Sequence, residues 1–398
     1  MGTKVVRTSD AKTLIKSNIR SYSMFIILVL IMVIFALLTG GINLSPRNIT
    51  NIFFQYSYVL ILAVGMVQVI IVKGIDLSVG SVCAFVGALS AMIYNTGVGM
   101  PITLVASIMI GMGIGAWHGL WVAYAKLPAF IVTLAGMLLF RGLTLTVTRV
   151  RPISLIDNYY ARLSTGTLDG ALGLDRIGPY YPMALVFAIV FIALFFAVEF
   201  IGRRTRIAND FEVPPLPLFI VKLVVISLLV LWLAERFASF RGLPNVVIVL
   251  GITVFIFHFI LNHTVLGRYI YAVGGNDRSA KLSGINSELV TFIVFVFMGS
   301  LAGLAGVIFT GLMNTALPSA GNLFELDAIA ASYIGGVSAG GGIGSVIGVI
   351  VGGIVMSAIN NGMSLMNLGH HLQLVVKAFI LLLAVFYDIY TRRKSGLG

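Results

Sequence analysis

Gln55, Gln68, Asp76, Ser78, Asn314, Asn360 and Asn361 are polar side chains set in or beside long apolar runs. Amides, a hydroxyl and a carboxylate together offer hydrogen-bond donors and acceptors. With Phe53, Phe54 and Tyr56 interleaved, the set suits passage of a neutral polyhydroxylated solute. Each residue also fits a packing role, because amides in apolar helices bond to neighbouring helices. Asp76, in GIDLSVGS (Gly74–Ser81), fits two roles equally. It is an intramembrane carboxylate for a solute, an ion or a proton, or a cap for the turn that holds Ser78 and Ser81. Glu325 and Asp327 open a short apolar element, where the helix dipole favours acids as caps.

Two motifs carry the formal pattern of catalysis. Gly336-Val-Ser338-Ala-Gly340 matches a nucleophile elbow, with His370 and His371 downstream to serve as base. Nine of the nineteen residues Gly335–Gly353 are glycine, so a chance match is expected, and no strand–turn–helix pattern surrounds it. Ala339–Ser345 reads AGGGIGS, yet a phosphate-binding loop needs a Gly-Lys pair and the chain has none. The chain therefore should not hydrolyse ATP, and it is assigned no catalytic residue, metal site or cofactor. Irregular backbone at membrane depth is tolerated where protein or water satisfies it, so the glycine stretch reads as a broken helix beside a cavity.

The third feature is a polar island, GRYIYAVGGNDRSAKLSGI (Gly267–Ile285), between two apolar runs. Arg268, Asp277, Arg278, Lys281 and the following Glu288 would each cost about 2.5–3.5 kcal/mol at the bilayer centre, so the segment lies in water. Gly274–Gly275 reads as a turn, Asn276 as an N-cap, Asp277 as a first-turn acid and Gly284 as a stop. The spacing predicts a short helix, Asn276–Ser283, held out for another protein.

The elements that must position these residues are apolar runs of about 20 residues, enough to cross ~30 Å of hydrocarbon. They fall at 24–40, 52–72, 77–95, 101–125, 129–148, 181–201, 216–234, 245–262, 289–312, 343–363 and 372–390. Glu325–Val337 is apolar but short. With the N-terminus inside, the basic Arg203–Arg206 patch and the island both fall inside. Counting Glu325–Val337 as a broken crossing gives twelve spans and puts Arg392–Lys394 inside as well. Arg149, Arg151, Arg162 and Arg176 stay outside, against the usual bias of basic residues. Rows such as Gly111, Gly115, Gly119 and Gly344, Gly348, Gly352 read as helix-packing stripes.

Composition agrees. The chain has 398 residues, 59% hydrophobic and only 10% charged, against about 25% charged in a soluble domain. Its +12 net charge is clustered at the ends of apolar runs, as at Lys4, Arg7, Lys12, Lys16 and Arg20. That is an orientation signal rather than a nucleic-acid surface. Met24–Gly40 reads as an uncleaved first span. The single cysteine, Cys83, excludes a disulfide framework.

GIDLSVGS, LPAFIVTLAGMLLFRG (Leu127–Gly142), the island, PSAGNLFELDAIAASYIGGVSAGGGIGS (Pro318–Ser345) and NNGMSLM (Asn360–Met366) resemble, in order, the permeases of bacterial ABC monosaccharide importers. Within the ribose/xylose/galactose group the chain looks most like the xylose and multiple-monosaccharide permeases. Ribose-type members carry one span between the 149–180 loop and the island, where this chain has three, and the added pair preserves parity.

The resemblance implies an all-α polytopic permease of ten to twelve spans in the bacterial inner membrane, a single domain over 1–398 with both termini cytoplasmic. It implies a cytoplasmic segment at 1–23, a periplasmic loop at 149–180 and a cytoplasmic coupling segment at 263–288. Its partners would be an ATP-binding subunit that holds ATP and Mg, a periplasmic sugar-binding protein, a second copy of the chain, membrane lipid and a monosaccharide. Coupling residues would be Gly274, Gly275, Asn276, Ala280, Gly284 and Ile285, although the segment lacks a full Glu-Ala-Ala pattern. The competing class is an ion-coupled secondary transporter centred on the Gly335–Gly344 break and Asp76.

Overall fold

The computed structural model describes residues 19–394; Lys4, Arg7, Lys12 and Lys16 lie outside them. The helices run α1 Ile19–Leu38, α2 Pro46–Ile71, α3 Val79–Asn95, α4 Met100–Gly119, α5 Ala129–Thr148, α6 Arg162–Thr165 and α7 Leu168–Ala171. They continue as α8 Pro182–Ala208, α9 Leu216–Ala238, α10 Asn245–His263, α11 Val265–Gly275, α12 Asp277–Leu282, α13 Ser287–Met313, α14 Phe324–Ile334, α15 Val346–Leu365 and α16 His370–Lys394. The strands among the described residues are β1 (Ile153–Ser154) and β2 (Thr315–Ala316), paired antiparallel.

Among the described residues, eight helices are long and apolar enough to cross a membrane: α2, α4 with its π turn Leu120–Tyr124, α5, α8, α9, α10, α13 and α15. Three shorter apolar helices, Met24–Leu38, Val79–Asn95 and His370–Phe386, join them. This is the all-α, polytopic class that hydropathy implies.

The chain forms two compact units. The smaller includes Leu44–Thr50 and Thr167–Pro244, so α8 and α9 lie in it. Lys222 of α9 is ion-paired with Glu199 of α8, and Arg203 donates to the Pro214 carbonyl at 2.7 Å. Asp169 is fully buried and accepts from the N–H groups of Met183 (2.9 Å) and Leu243 (3.0 Å). It thus satisfies an orphan donor at the start of α8 and ties the chain beyond α9 to it.

The larger unit includes Met24–Asn43, Asn51–Gly166 and the chain from Asn245 onward. Its centre is α13, and the glycine stripes explain the close packing. A Cβ on Gly111 would meet the Gly299 backbone, and one on Gly115 the backbone of Phe295. On another face of α13, Gly306 lies against the backbone of Cys83 in α3. The row Gly348, Gly352 does the same work between α15 and α14, against Gly335 and Ala331. With lipid as apolar as the side chains, such approach is what holds helices together.

Connections of this unit gather at the two ends of α13, whose 27 residues span about 40 Å. At one end Asn95, Ser154, Asn158 and Asn314 are hydrogen-bonded together with β1 and β2. At the other, Ile71, Gly274 and Gly342 meet. The chain passes from the first end at Ala316 to the second at Gly342, so the Glu325–Val337 element lies on a stretch that runs the length of α13. Its helix α14 has 11 residues, about 16 Å, and irregular backbone covers the rest. Helix α3 also starts within the unit: Cys83 faces Gly306, which is about 28 Å along α13 from Ser287.

Gly299→Ala places a methyl on the backbone of Gly111 and Gly115, while Gly113 has open space around it. The expected loss for Gly299→Ala is about 1–3 kcal/mol, read as a fall of several degrees in the unfolding midpoint in detergent. Gly113→Ala should leave the midpoint within a degree or so.

Candidate functional site

The polar island is built from three successive caps. Thr264 accepts from the Gly267 N–H at 3.2 Å and starts α11. Asn276, extended at φ −151°, ends α11 and caps α12 by accepting from the Ser279 N–H at 3.1 Å. Gly284, at φ +82°, stops α12, and the Ile285 N–H donates to the Ala280 carbonyl at 3.1 Å. Asn286 then caps α13 by accepting from Leu289 N–H at 2.8 Å. Lys281 bridges Glu288 at 2.8 Å and Asp277 at 3.4 Å. These two carboxylates, Glu288 foremost, hold its ammonium above the ordinary lysine range.

Gly274 and Gly275 are not a turn; they are the last two residues of α11. The physical reason is close approach. A Cβ on Gly274 would fall on the Ile71 carbonyl oxygen and the Gly342 nitrogen. That oxygen, at the end of α2, accepts from the Gly342 N–H at 2.9 Å. Gly341 lies against Ile71 and Gly274, and Gly342 against Gly275. Lys73 donates to the Gly275 carbonyl at 3.3 Å, and the Tyr271 hydroxyl to the Gly344 carbonyl at 2.7 Å. The AGGGIGS loop is therefore packed against α2 and α11, and through it the island reaches α14 and α15.

Of the sequence-derived coupling residues, Gly274 and Ala280 are buried and Ile285 is half-buried, while Gly275, Asn276 and Gly284 are exposed. The outward surface of α12 includes two residues outside that coupling set. Arg278 is exposed, and Leu282, one helical turn on, is 84% exposed. The available signal was an apolar residue within the most charged stretch between spans.

The structure does not gather the seven polar candidates into one place. Gln55 is exposed on α2. Gln68 is fully buried, and its side chain donates to the Val64 carbonyl at 3.2 Å. Asp76, buried, accepts from the N–H (2.9 Å) and hydroxyl (2.6 Å) of Ser78 and so shapes the turn before α3. Asn314 donates to Asn158 at 2.9 Å, at the far end of α13 from the island. Asn360 and Asn361 are buried on α15.

At depth within the larger unit, the first turns of α3 and α14 meet. A Cβ on Gly80 would contact the Gly321 carbonyl and a Glu325 carboxylate oxygen. Arg141 of α5 donates to the Ala320 carbonyl. Asp327, buried, pairs at 2.9 Å with Lys377 of α16. Lys377 was missed although it stands alone in an apolar run, a position that requires a partner. Among the described residues no group of three or more His, Cys, Asp or Glu is placed to hold a metal.

Residues 48–385 match the family described as Branched-chain amino acid transport system / permease component. The chain is 40% identical to the xylose transport system permease protein of Escherichia coli (strain K12), over 98% of this chain and 97% of that protein. It is 39% identical to the xylose transport system permease protein of Haemophilus influenzae, over 95% and 98%. Identity to the ribose import permease protein of Escherichia coli (strain K12) is 35%, over 92% of each. No solved structure matches the chain.

Two outcomes are expected. Gly274→Ala should raise amide exchange across α11 and α12 by about tenfold, from about 1–3 kcal/mol of overpacking. Gly275→Ala, with nothing within 4 Å of its added carbon, should leave exchange unchanged. Lys377→Met should destabilise by about 3–5 kcal/mol by stranding Asp327, and adding Asp327→Leu should recover most of that loss in chemical denaturation.

Proposed function

We propose that this chain, which belongs to the branched-chain amino acid transport system / permease component family, is the membrane-spanning subunit of an ATP-driven monosaccharide importer. The observation that carries this reading is the similarity, over nearly the whole chain, to xylose and ribose permeases. It is an integral protein of the bacterial inner membrane and not itself an enzyme. A separate ATP-binding subunit holds ATP and Mg, and a periplasmic sugar-binding protein delivers the substrate. The substrate is a xylose-like pentose or a hexose, taken from periplasm to cytoplasm. The working unit contains two copies of the chain, with both termini and α12 on the cytoplasmic side.

In this reading α12 receives the push when the ATP-binding subunits close. Arg278 and Leu282 are the side chains it offers, and Gly274, Asn276, Ala280 and Ile285 hold the helix rather than touch the partner. A push on α12 passes through α11 to the Ile71 carbonyl and the Gly341–Gly342 loop. From there it reaches the ends of α2, α14 and α15 together. A lever of this kind moves transport only if the partner's ATP state favours one arrangement of those ends over another.

The test is xylose uptake into proteoliposomes holding the chain, its ATP-binding subunit and the sugar-binding protein. Uptake should require ATP hydrolysis by the partner; uptake by the chain alone, driven by a proton or sodium gradient, would establish the ion-coupled class instead. Leu282→Asp should weaken assembly with the ATP-binding subunit by about 30-fold, the effect of losing an interface anchor of about 2 kcal/mol.

A further inference from the structure

The chain emerging from α5 adopts a conformation that L-residues seldom take. Arg149 has φ +51° and Val150 φ +57°, two successive non-glycine residues in the left-handed region. The Val150 N–H donates to the Leu145 carbonyl at 3.1 Å and the Arg149 N–H to the Thr146 carbonyl at 3.2 Å. This is the bonding of a helix end that glycine ordinarily supplies. Holding a branched residue there is unfavourable, and such strain persists where its surroundings over-determine it.

The surroundings do so. β1 is paired with β2, Ile153 with Ala316 and Ser154 with Thr315. Asn95 donates to the Ser154 carbonyl at 2.9 Å and accepts from the Ile156 N–H at 3.1 Å. Asp157 accepts from the Tyr94 hydroxyl and from the Tyr159 N–H, each at 2.7 Å, and these bonds hold its carboxyl below the usual range. Asn158 accepts from Asn314 at 2.9 Å, and Tyr160 is fully buried beneath.

What this pinned loop displays is apolar and basic. Val150 is 69% exposed, Ile156 61% and Tyr159 54%. Arg149 and Arg151 are exposed, and among the described residues neither makes an ion pair or a side-chain hydrogen bond. The Arg162 guanidinium lies 5.1 Å from the centre of the Tyr159 ring. The patch stands at the end of α13 away from α12, about 40 Å off, where the orientation bias disfavours arginine. Exposed aromatic and aliphatic side chains with arginine on a rigid support form the composition of an interface centre. With three arginines to the one carboxylate of Asp157 the patch is net basic, and its charge complements an acidic protein face.

We propose that Arg149–Arg151, with Ile156, Tyr159 and Arg162, is the landing surface for an acidic face of the soluble sugar-binding protein. This rests on the importer reading above. The experiment measures binding of that protein, the one encoded beside this chain and loaded with xylose, to the permease and its ATP-binding subunit in nanodiscs.

Arg149→Glu with Arg151→Glu should weaken binding about 30-fold and flatten its salt dependence, while basal ATPase activity and subunit assembly stay as in the parent. Reversal of acidic residues on the binding protein should restore affinity to the double variant. Unchanged affinity, with the parent binding normally, overturns the surface and leaves the importer reading intact. Failure of the parent complex to bind the protein at all, with no stimulation of ATPase activity, counts against the importer reading itself. Unchanged affinity, with parent stability that depends on phosphatidylglycerol and is lost in the variant, overturns the proposal in favour of a lipid contact.

Discussion

The carbonyl oxygen of Ile71 is where the ends of three segments converge. It accepts the Gly342 N–H at 2.9 Å and leaves Gly274 no space for a side chain. The end of α2, the end of α11 and the loop between α14 and α15 are thereby fixed to one another through backbone alone. Backbone contact of this kind does not yield by rotamer change, so displacement of one segment displaces the others. The polar island is not a tethered loop. It is rigidly continuous with the spans that border it, and its exposed tip carries Arg278 and Leu282.

A second consequence is felt at depth. Because the chain turns back at Lys73, with φ +64°, and rises to Val79 before helix resumes, α3 begins inside the unit. Because β2 leads into irregular backbone before Phe324, α14 also begins inside. Two helix starts thus meet where water is scarce, and their free N–H ends favour acidic groups nearby. Glu325, Asp327, Arg141 and Lys377 occupy that level. In a single apolar span each of these charges would be costly, and bonding to Ala320 or pairing of Asp327 with Lys377 compensates part of that cost.

The sequence reading fared best where a single local rule sufficed. The apolar runs became helices whose ends fall within about seven residues of the expected ones, and Asn276 caps α12 as its type and position imply. The glycine rows lie at helix contacts, except Gly344, which stands in the loop before α15. It fared worst for residues whose role depends on a distant neighbour. Gly274 and Gly275 look like a turn in isolation, and the reason Gly274 is glycine lies some 200 residues back at Ile71. The AGGGIGS loop interrupts the helices as its glycines imply, but it packs on backbone where a cavity was the expectation. Asp76 takes the second of its two readings, shaping the turn before α3 by accepting from Ser78.

Class, number of apolar runs and the capped helix between two of them were legible because they follow from hydrophobic length, burial cost and backbone capping, all local in the chain. Residue types alone did not say which glycines touch, which acid meets Lys377, or which side chains of α12 face outward. Those depend on how helices cross. A crossing is set by the summed fit of many small contacts between segments far apart in sequence, and no single stretch encodes it.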